Sequence, residues 1–342
     1  MSPRILIATL ALVIGLLLSW LLMSTPNENS STKEPSKVVI QIFDPVPPNP
    51  TSDRKLRQPS DRNPEFDPNA IPNERIVTFA NEEAYRRFLE KLANSKIRNL
   101  GQIDTLRAVR LGFDNLSDFD GLGLENAQFN YPVIVPELRE VAPQSGIVGF
   151  NNSALEFLGI TADNSEWGRG VKIAIIDTGI LPHIALSDKI RHINLVELPE
   201  GVEANSHGTS VASLIAGMHP NMKGVAPAAD LISVRVADET GYSSSFLLAQ
   251  GIIEASNAGA QLINISLGSE GDSPLVRQAV DYATERGAVI FASSGNEGSE
   301  NAAYPAGDPD VFSVGAVDAL GQHLNFSNSD SDLAFTAPGL EI

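Results

Sequence analysis

The stretch VKIAIIDTGI, residues 171–180, constrains the fold of this chain more than any other segment. Every residue between Lys172 and Asp177 is apolar, so neither face of a strand formed here suits contact with water. Strands that are apolar on both faces are typical of the centre of a parallel sheet covered by helices. In open α/β sheets, ligands bind at the carboxyl ends of such strands, where Asp177 stands. From local sequence alone, an Asx turn or a helix cap explains Asp177 equally well.

A histidine motif follows in the segment NSHGTSVASLIAG, residues 205–217. Val211, Leu214 and Ile215 share one face of a helix, which places His207 at or near the helix N-terminus. The neighbouring Gly208 allows another backbone to approach closely. A single histidine of this kind is more often structural than catalytic, so this motif alone does not decide the function.

Two more apolar strands end in small or polar residues. The first, AQLINISLGS, ends at Ser266, Leu267 and Gly268, and the second, GAVIFASSGNEGS, ends in a Gly-rich loop that carries Asn296. An amide in such a loop can donate a hydrogen bond to a developing oxyanion. Otherwise Asn296 is a turn residue.

The order of these motifs along the chain is more specific than any one of them. The sequence DTG, then HGTSVA, NISLG, SSGNEG and APG, resembles the subtilisin-like serine proteases, or subtilases, from about residue 154 to residue 342. The resemblance implies a doubly wound, mainly parallel α/β sheet with helices on both faces. It also implies a serine endopeptidase whose triad runs Asp, His, Ser along the chain.

The resemblance further implies roles for individual residues. Asp177 would orient His207, His207 would take the proton of a serine, and Asn296 would donate to the oxyanion. Ser206 stands where the family commonly has Gly, and we expect it to cap the helix. The substrate edges and the specificity pocket would be formed by Ser266, Leu267, Gly268, Ser293, Ser294 and Gly295, with Gly241 and Ser243 on the opposite edge.

The serine nucleophile is the part of the motif set that this sequence does not show. In the family it follows the APG loop, in a GTS-small-A motif that starts a helix. That motif does not follow Gly339 here, so we expect the chain as written to be a truncated and inactive form. GTSVA does occur at residues 208–212, but Ser210 would lie about one turn along the helix of His207, not across a cleft from it.

The same motifs leave two alternatives to an active protease. A pseudoprotease that binds extended peptides through the same edges would fit the motifs, and the DNA downstream of Ile342 would separate the two by encoding GTS-small-A or not. A metal site at Asp177 and His207 fits poorly, because no third ligand stands at a characteristic spacing.

The N-terminal part divides by composition into two regions. Residues 1–25 hold Arg4 and then an apolar run about long enough to cross ~30 Å of hydrocarbon, which predicts a signal anchor. A cleaved signal peptide is the alternative, and either places the remaining chain outside the cytoplasm, membrane-anchored or secreted. Residues 26–72 are rich in Pro, Ser and Asn, which predicts a disordered linker.

Two folded regions are expected after the linker. Residues 73–145 show a β-α-β-α-β-like pattern, and the resemblance identifies them as a ferredoxin-like α+β propeptide that acts as chaperone and inhibitor. Residues 146–342 would then form the peptidase domain, incomplete at its C-terminus.

Charge and cysteine content limit the partners and cofactors. The formal net charge of −18 argues against nucleic acid, which is bound by clustered Lys and Arg. The absence of cysteine excludes disulfides and thiolate ligands. The expected partners are polypeptide substrates, the chain's own propeptide and, through the N-terminal helix, a membrane. No cofactor is required, and calcium, frequent in the family, cannot be assigned to residues.

Overall fold

A computed structural model describes residues 66–119, 127–136 and 146–342 of the chain. The predicted signal anchor and most of the predicted linker lie outside these ranges. Within them, no helix is both long enough and apolar enough to cross a membrane.

The first described unit is a small α+β arrangement. It consists of β1 (Glu74–Thr78), α1 (Glu82–Leu92), β2 (Arg98–Ile103) and β3 (Ala108–Gly112). Asn81 caps α1, its Oδ1 accepting a hydrogen bond of 2.9 Å from the backbone N–H of Ala84. The helix buries Tyr85, Phe88 and Leu92 against the sheet, because these residues recur at helical spacing.

The strands of this unit differ in part from the predicted pattern. They form an antiparallel sheet in the order β1-β3-β2, in which β2 was not predicted. The second helix expected in this region appears, where it is described, as a 3₁₀ turn at Leu116–Phe119. The expected last strand is β4 (Pro132–Ile134), and it pairs outside this sheet, as described below.

The larger unit is built on a seven-stranded sheet. Its strands are β5 (Lys172–Asp177), β6 (Arg191–Asn194), β9 (Asp230–Arg235), β11 (Leu262–Ile265), β12 (Val289–Ser293), β13 (Phe312–Val317) and β14 (Phe335–Pro338). The short strands β7 (Met218–His219), β8 (Met222–Lys223) and β10 (Tyr242–Ser244) lie outside it. The helices are α2 (Ala154–Phe157), α3 (His207–Ala216), α4 (Ser245–Asn257) and α5 (Pro274–Thr284).

All neighbouring strands of the seven-stranded sheet are parallel, in the order β14-β13-β12-β11-β5-β9-β6. Alternate residues of β5 enter two separate cores. Ile173 and Ile175 pack with α3 on one face, and Ala174 and Ile176 pack with α4 and α5 on the other. The predicted α/β sheet with helices on both faces is therefore confirmed.

The strand order also locates the functional edge of the sheet. From β5 the chain builds β6 and β9 on one side, and then crosses to β11 and the strands beyond it on the other. In open α/β sheets, ligands bind at such a reversal, outside the carboxyl ends of the strands. Asp177, the last residue of β5, lies at this point.

Candidate active site

The structure brings Asp177 and His207 into direct contact. Asp177 ends the central strand β5, and His207 is the first residue of α3. The Nδ1 atom of His207 lies 2.9 Å from each carboxylate oxygen of Asp177. Asp177 is fully buried and His207 is 7% exposed, so this contact is largely shielded from water.

Residues next to the pair hold the helix against the strand. The hydroxyl of Thr178 donates to the carbonyl of Asn205 at 3.1 Å and accepts from the backbone N–H of Gly208 at 3.1 Å. Gly208 lies so close to β5 that an added Cβ would fall 2.4 Å from the carbonyl oxygen of Gly179. The close approach predicted for Gly208 is thus present.

The predicted cap by Ser206 is wrong. Ser206 occupies the N-cap position of α3, but its side chain makes no capping hydrogen bond. The Oδ1 atom of Asn205 accepts instead from the backbone N–H of His207 at 2.9 Å. The side chain of Asn205, one residue before Ser206, therefore provides the acceptor for the backbone N–H of His207.

The surroundings of His207 raise its pKa above the ordinary value of 6.5. Burial by itself lowers the pKa, and the negative charge and hydrogen bond of Asp177 together outweigh that effect. The Nδ1 atom faces Asp177, and the Nε2 atom has no hydrogen-bond partner among the described residues. The imidazole is thus held on one side and available on the other.

Asn296 lies in the loop just after β12, at the same edge of the sheet. The residue is 4% exposed, and its Nδ2 atom finds no hydrogen-bond acceptor in the described parts of the chain. A buried amide donor without a partner is rare in folded proteins and is found at sites that receive a ligand or a charge. The position suits the predicted donor to an oxyanion.

Strand register places one residue of the predicted substrate edge and one of the predicted pocket in a row with Asp177. Ile265 of β11 pairs with Ile176 of β5 and with Ala292 of β12. The next residues along the chain are Asp177, Ser266 and Ser293, each directly after one of these paired residues, and neighbouring strands of a sheet lie about 4.8 Å apart. The hydroxyl of Ser266 accepts from the Nδ2 of Asn264 at 2.9 Å, whereas that of Ser293 has no partner in the described ranges.

The two predicted substrate edges lie on either side of the chain's own strand β4. Ile134 and Gly268 exchange backbone hydrogen bonds of 3.0 and 3.2 Å. On the other side, β4 pairs with β10, placing Ser243 opposite Val133, and the N–H of Val135 donates to the carbonyl of Gly241 at 2.9 Å. The space between the edges therefore accepts an extended peptide.

Ser210 does not take part in the site. It lies within α3, and its backbone N–H donates to the carbonyl of Ser206 at 3.0 Å as part of the helix. No hydrogen bond joins it to the Nε2 atom of His207, which is unpartnered in the part of the chain that the structure describes.

No sequence motif singles out Asn328, whose side chain holds the loop that carries Asn296. It stands in the segment FSNSD, which looks like any polar turn. It is 2% exposed, and its amide makes four hydrogen bonds to residues 294–299. No local signal distinguishes it from the other asparagines of the chain.

The sequence comparisons agree with this geometry. Residues 168–341 match the Peptidase S8 profile, described as the subtilase family. The chain belongs to the subtilase family. An alkaline protease of Shouchella clausii is 32% identical to this subtilase over 280 residues, which cover 78% of the chain and 72% of that relative. M-protease of Shouchella clausii strain KSM-K16 is 38% identical over 282 residues, with the same coverage of both proteins.

A solved structure shares the fold of this subtilase. Fervidolysin from Fervidobacterium pennivorans, described as a keratinolytic enzyme related to subtilisin, matches with a TM-score of 0.65 at 24% identity. The match covers 80% of this chain and 48% of fervidolysin, so the chain spans about half the length of that protein. At this identity the likeness supports the fold alone.

The last question at the site is whether its side chains could bind a metal ion. Within residues 66–119, 127–136 and 146–342, no group of three or more His, Asp or Glu side chains could hold a metal ion. Calcium, which the family frequently binds, is therefore still not assigned to residues.

Proposed function

We propose that this subtilase is a serine endopeptidase in which Asp177 and His207 are two members of a catalytic triad. The observation that carries the proposal is the contact of the His207 Nδ1 with a buried carboxylate, while Nε2 is unpartnered in the described residues. In such a pair, the carboxylate fixes the tautomer and stabilises the imidazolium, and Nε2 takes the proton of the attacking hydroxyl.

Asn296 supplies the oxyanion donor in this proposal. Its buried Nδ2 makes no hydrogen bond in the described ranges, so it can donate to a charge that develops during the reaction. Donors held in place beforehand stabilise the transition state because they need no reorganisation when the charge appears.

The substrate would bind as an added strand between Gly241–Ser243 on one side and Ser266–Gly268 on the other. β4 supports this, because it lies there as an extended segment bonded to both edges. Backbone hydrogen bonds provide affinity in this mode, and alternate side chains enter pockets. Val133 is fully buried and Ile134 is 50% exposed, as an added strand requires.

The region around β4 would act as an inhibitory propeptide, since it fills the groove that a substrate needs. A second contact supports this role. The buried side chain of Asn130 accepts at the N-terminus of α4 from the Ser245 hydroxyl at 2.9 Å and the Phe246 N–H at 3.1 Å. It also donates to Glu74 at 2.7 Å, which ties β1 to the larger unit.

Two parts of the proposal rest on the sequence alone: the serine nucleophile and the cellular location of the enzyme. GTSVA of the histidine motif apart, residues 1–342 hold no GTS-small-A segment, so the proposal does not assign the serine nucleophile to a residue. We place the enzyme outside the cytoplasm, as the apolar segment near the N-terminus predicts.

A peptidase assay tests the proposal. The protein encoded by the complete gene is incubated with a fluorogenic protein substrate, together with its Asp177→Asn and His207→Ala variants. His183→Ala is the matched control, because His183 is a loop histidine whose Nδ1 accepts from the Ala185 amide and that lies outside the pair.

We expect activity in the complete product and in His183→Ala, and losses of several orders of magnitude in the other two variants. Activity that is equal in the wild type and in both triad variants would overturn the assignment. Activity of a protein that consists of residues 1–342 alone would show that the nucleophile lies within those residues.

A further inference from the structure

The side chain of Asn328 uses all of its hydrogen-bonding capacity on one loop. Its Oδ1 accepts from the backbone N–H groups of Glu297 and Ser299 at 3.0 and 2.9 Å. Its Nδ2 donates to the carbonyl of Ser294 and to the carboxylate of Glu297, both at 2.9 Å. A primary amide has two acceptor positions and two donors, and all four are filled.

These four bonds surround Asn296. Ser294 precedes it by two residues and Glu297 follows it directly. The Glu297 carboxylate also accepts from the backbone N–H of Asn296 at 3.0 Å, and it is the same oxygen, Oε2, that Asn328 holds. The backbone N–H of Asn328 donates in addition to the carbonyl of Gly295 at 3.0 Å. Asn328 therefore holds the residues on both sides of Asn296 without contacting the amide of Asn296.

The loop conformation needs this support. Gly295 has a φ of +107°, a left-handed conformation that disfavours other residues. An added Cβ at Gly295 would lie 2.3 Å from the Nδ2 of Asn328 and 2.6 Å from the Oε2 of Glu297. The amide and the carboxylate thus fill the space beside the glycine.

We propose that Asn328 is a positioning residue for catalysis, which holds the loop of residues 294–299 so that the Nδ2 of Asn296 points at the developing oxyanion. This role rests on the proposed function of Asn296. In this role Asn328 does not contact the substrate. Replacing its side chain should therefore lower the rate of the chemical step more than the affinity for substrate.

Only an asparagine meets all four demands. Alanine leaves the backbone N–H groups of Glu297 and Ser299 without their acceptor, and the Ser294 carbonyl keeps only its bond from the Ala303 N–H at 2.7 Å. Glutamine moves the amide by one methylene. Aspartate keeps both acceptor bonds, but it places a second carboxylate 2.9 Å from that of Glu297 and loses both donors. Asn328→Asp therefore hardly changes the size of the side chain, but it removes two of its four hydrogen bonds, the two that the Nδ2 donates.

A rescue variant follows from the same geometry. In Asn328→Asp with Glu297→Gln, the Gln nitrogen in the position of Oε2 can donate to the Asp carboxylate, which removes the repulsion between two carboxylates. The same atom then no longer accepts from the N–H of Asn296, and the Ser294 carbonyl keeps only its bond from the Ala303 N–H, so we expect the rescue to be partial. Glu297→Gln alone serves as the reference for this pair.

Asn164→Asp is the matched control for the loss of a buried amide. Asn164 is 1% exposed, and its Nδ2 donates to the carbonyls of Gly224 at 2.9 Å and Val225 at 3.0 Å, in a different loop. Its replacement removes the same number of donor bonds. A loss of activity caused only by lower stability would appear in both variants.

The experiment measures kcat and KM for the complete gene product and these variants, together with amide hydrogen exchange of residues 294–299. We expect Asn328→Asp to lower kcat by about 10- to 100-fold, since misplacement by about 1 Å costs about 100-fold. We expect KM to change less than about threefold, and the double variant to recover part of kcat. Exchange at Glu297 and Ser299 should quicken in Asn328→Ala.

Two results would overturn the role of Asn328. One is a kcat for Asn328→Asp within about twofold of that of Asn164→Asp, and the other is unchanged amide exchange at Glu297 and Ser299 in Asn328→Ala. If the wild type has no peptidase activity, the proposed function fails. In that case the catalytic role of Asn328 fails with the proposed function, and faster exchange in Asn328→Ala would still show that Asn328 holds the loop.

Discussion

The Nδ1 atom of His207 lies within hydrogen-bonding distance of both carboxylate oxygens of Asp177, at 2.9 Å from each. This contact raises the pKa of His207 although burial opposes the rise. Because a general base must be neutral, kcat/KM should increase with pH through an inflection above 6.5, the ordinary value for histidine. A pH–rate profile of the complete gene product measures this inflection.

In the Asp177→Asn variant, the pKa of His207 should lie below its ordinary value instead of above it. Without the carboxylate charge, burial remains as the main influence, so the inflection should move to lower pH. The rate should fall by about 10⁴-fold, because the tautomer of His207 is no longer fixed. An inflection that stays in place in Asp177→Asn would contradict the assignment of the shift to Asp177.

The same pair links stability to pH. A histidine whose pKa is raised in the folded state stabilises the fold below its unfolded pKa, about 6.5, and this contribution is lost as pH rises through the folded pKa. The advantage of the wild type over Asp177→Asn in free energy of unfolding should therefore shrink as pH rises through that range. Urea unfolding at a series of pH values checks the direction.

Asn296→Ala should act on the chemical step. Its Nδ2 is buried without an acceptor in the described residues, so removing it costs the resting protein no hydrogen bond. We expect kcat to fall by about 10²- to 10³-fold with little change in KM. Asn301→Ala, in an exposed part of the same segment, is the control and should keep its kcat. A large rise in KM with kcat unchanged would instead place Asn296 in substrate binding.

Ile134→Pro should release β4 from the groove. Proline removes the N–H that donates to the carbonyl of Gly268 at 3.0 Å, and a lost or unsatisfied hydrogen bond costs about 1–3 kcal/mol. The Gly268 amide, which donates to Ile134, should then exchange with solvent about 10- to 100-fold faster by NMR, in keeping with that cost.

Ile134→Thr is the control for this change. It keeps the backbone N–H, and the Ile134 side chain is 50% exposed, so little packing is lost. Exchange at Gly268 should stay close to that of the wild type. If both variants exchange alike, the backbone pairing does not hold β4 in place.

How far the sequence predicts the structure depends on whether a pattern is local. β5, β11 and β12 were predictable because continuous apolar runs identify strands covered on both faces. β2 was not, because its residues RNLGQI are mostly exposed, and a register shift between Asn99 and Gly101 breaks any alternation. The strand character of β4 was visible, but its partners were not.

Long-range contacts explain the remaining differences. The pairing of Ile134 with Gly268 depends on how two units of the chain meet, which no local pattern encodes. The same holds at the site. Asp177, His207 and Asn296 were found through motif order, whereas Asn328 acquires its role only because the fold brings FSNSD beside SSGNEG.

Gly208→Ala should weaken the contact between α3 and β5. An added Cβ would lie 2.4 Å from the carbonyl oxygen of Gly179 and 3.2 Å from the Cβ of Asp177, so helix or strand must move. Overpacking of this kind costs about 1–3 kcal/mol, and the movement carries His207 away from Asp177. The melting temperature should fall by roughly 2–4 °C per kcal/mol.

Gly307→Ala is the matched control for this last change. Its added Cβ would meet its nearest neighbour, the Ala302 carbonyl oxygen, at 3.4 Å, an ordinary contact distance. Thermal unfolding of both variants separates a general cost of alanine from the steric conflict beside Asp177. In the complete gene product, Gly208→Ala should also lose more kcat than its stability explains, because the geometry of the Asp177–His207 pair is disturbed. Equal melting temperatures for the two variants would show that α3 can shift without cost, and that the close approach at Gly208 is not what holds the pair together.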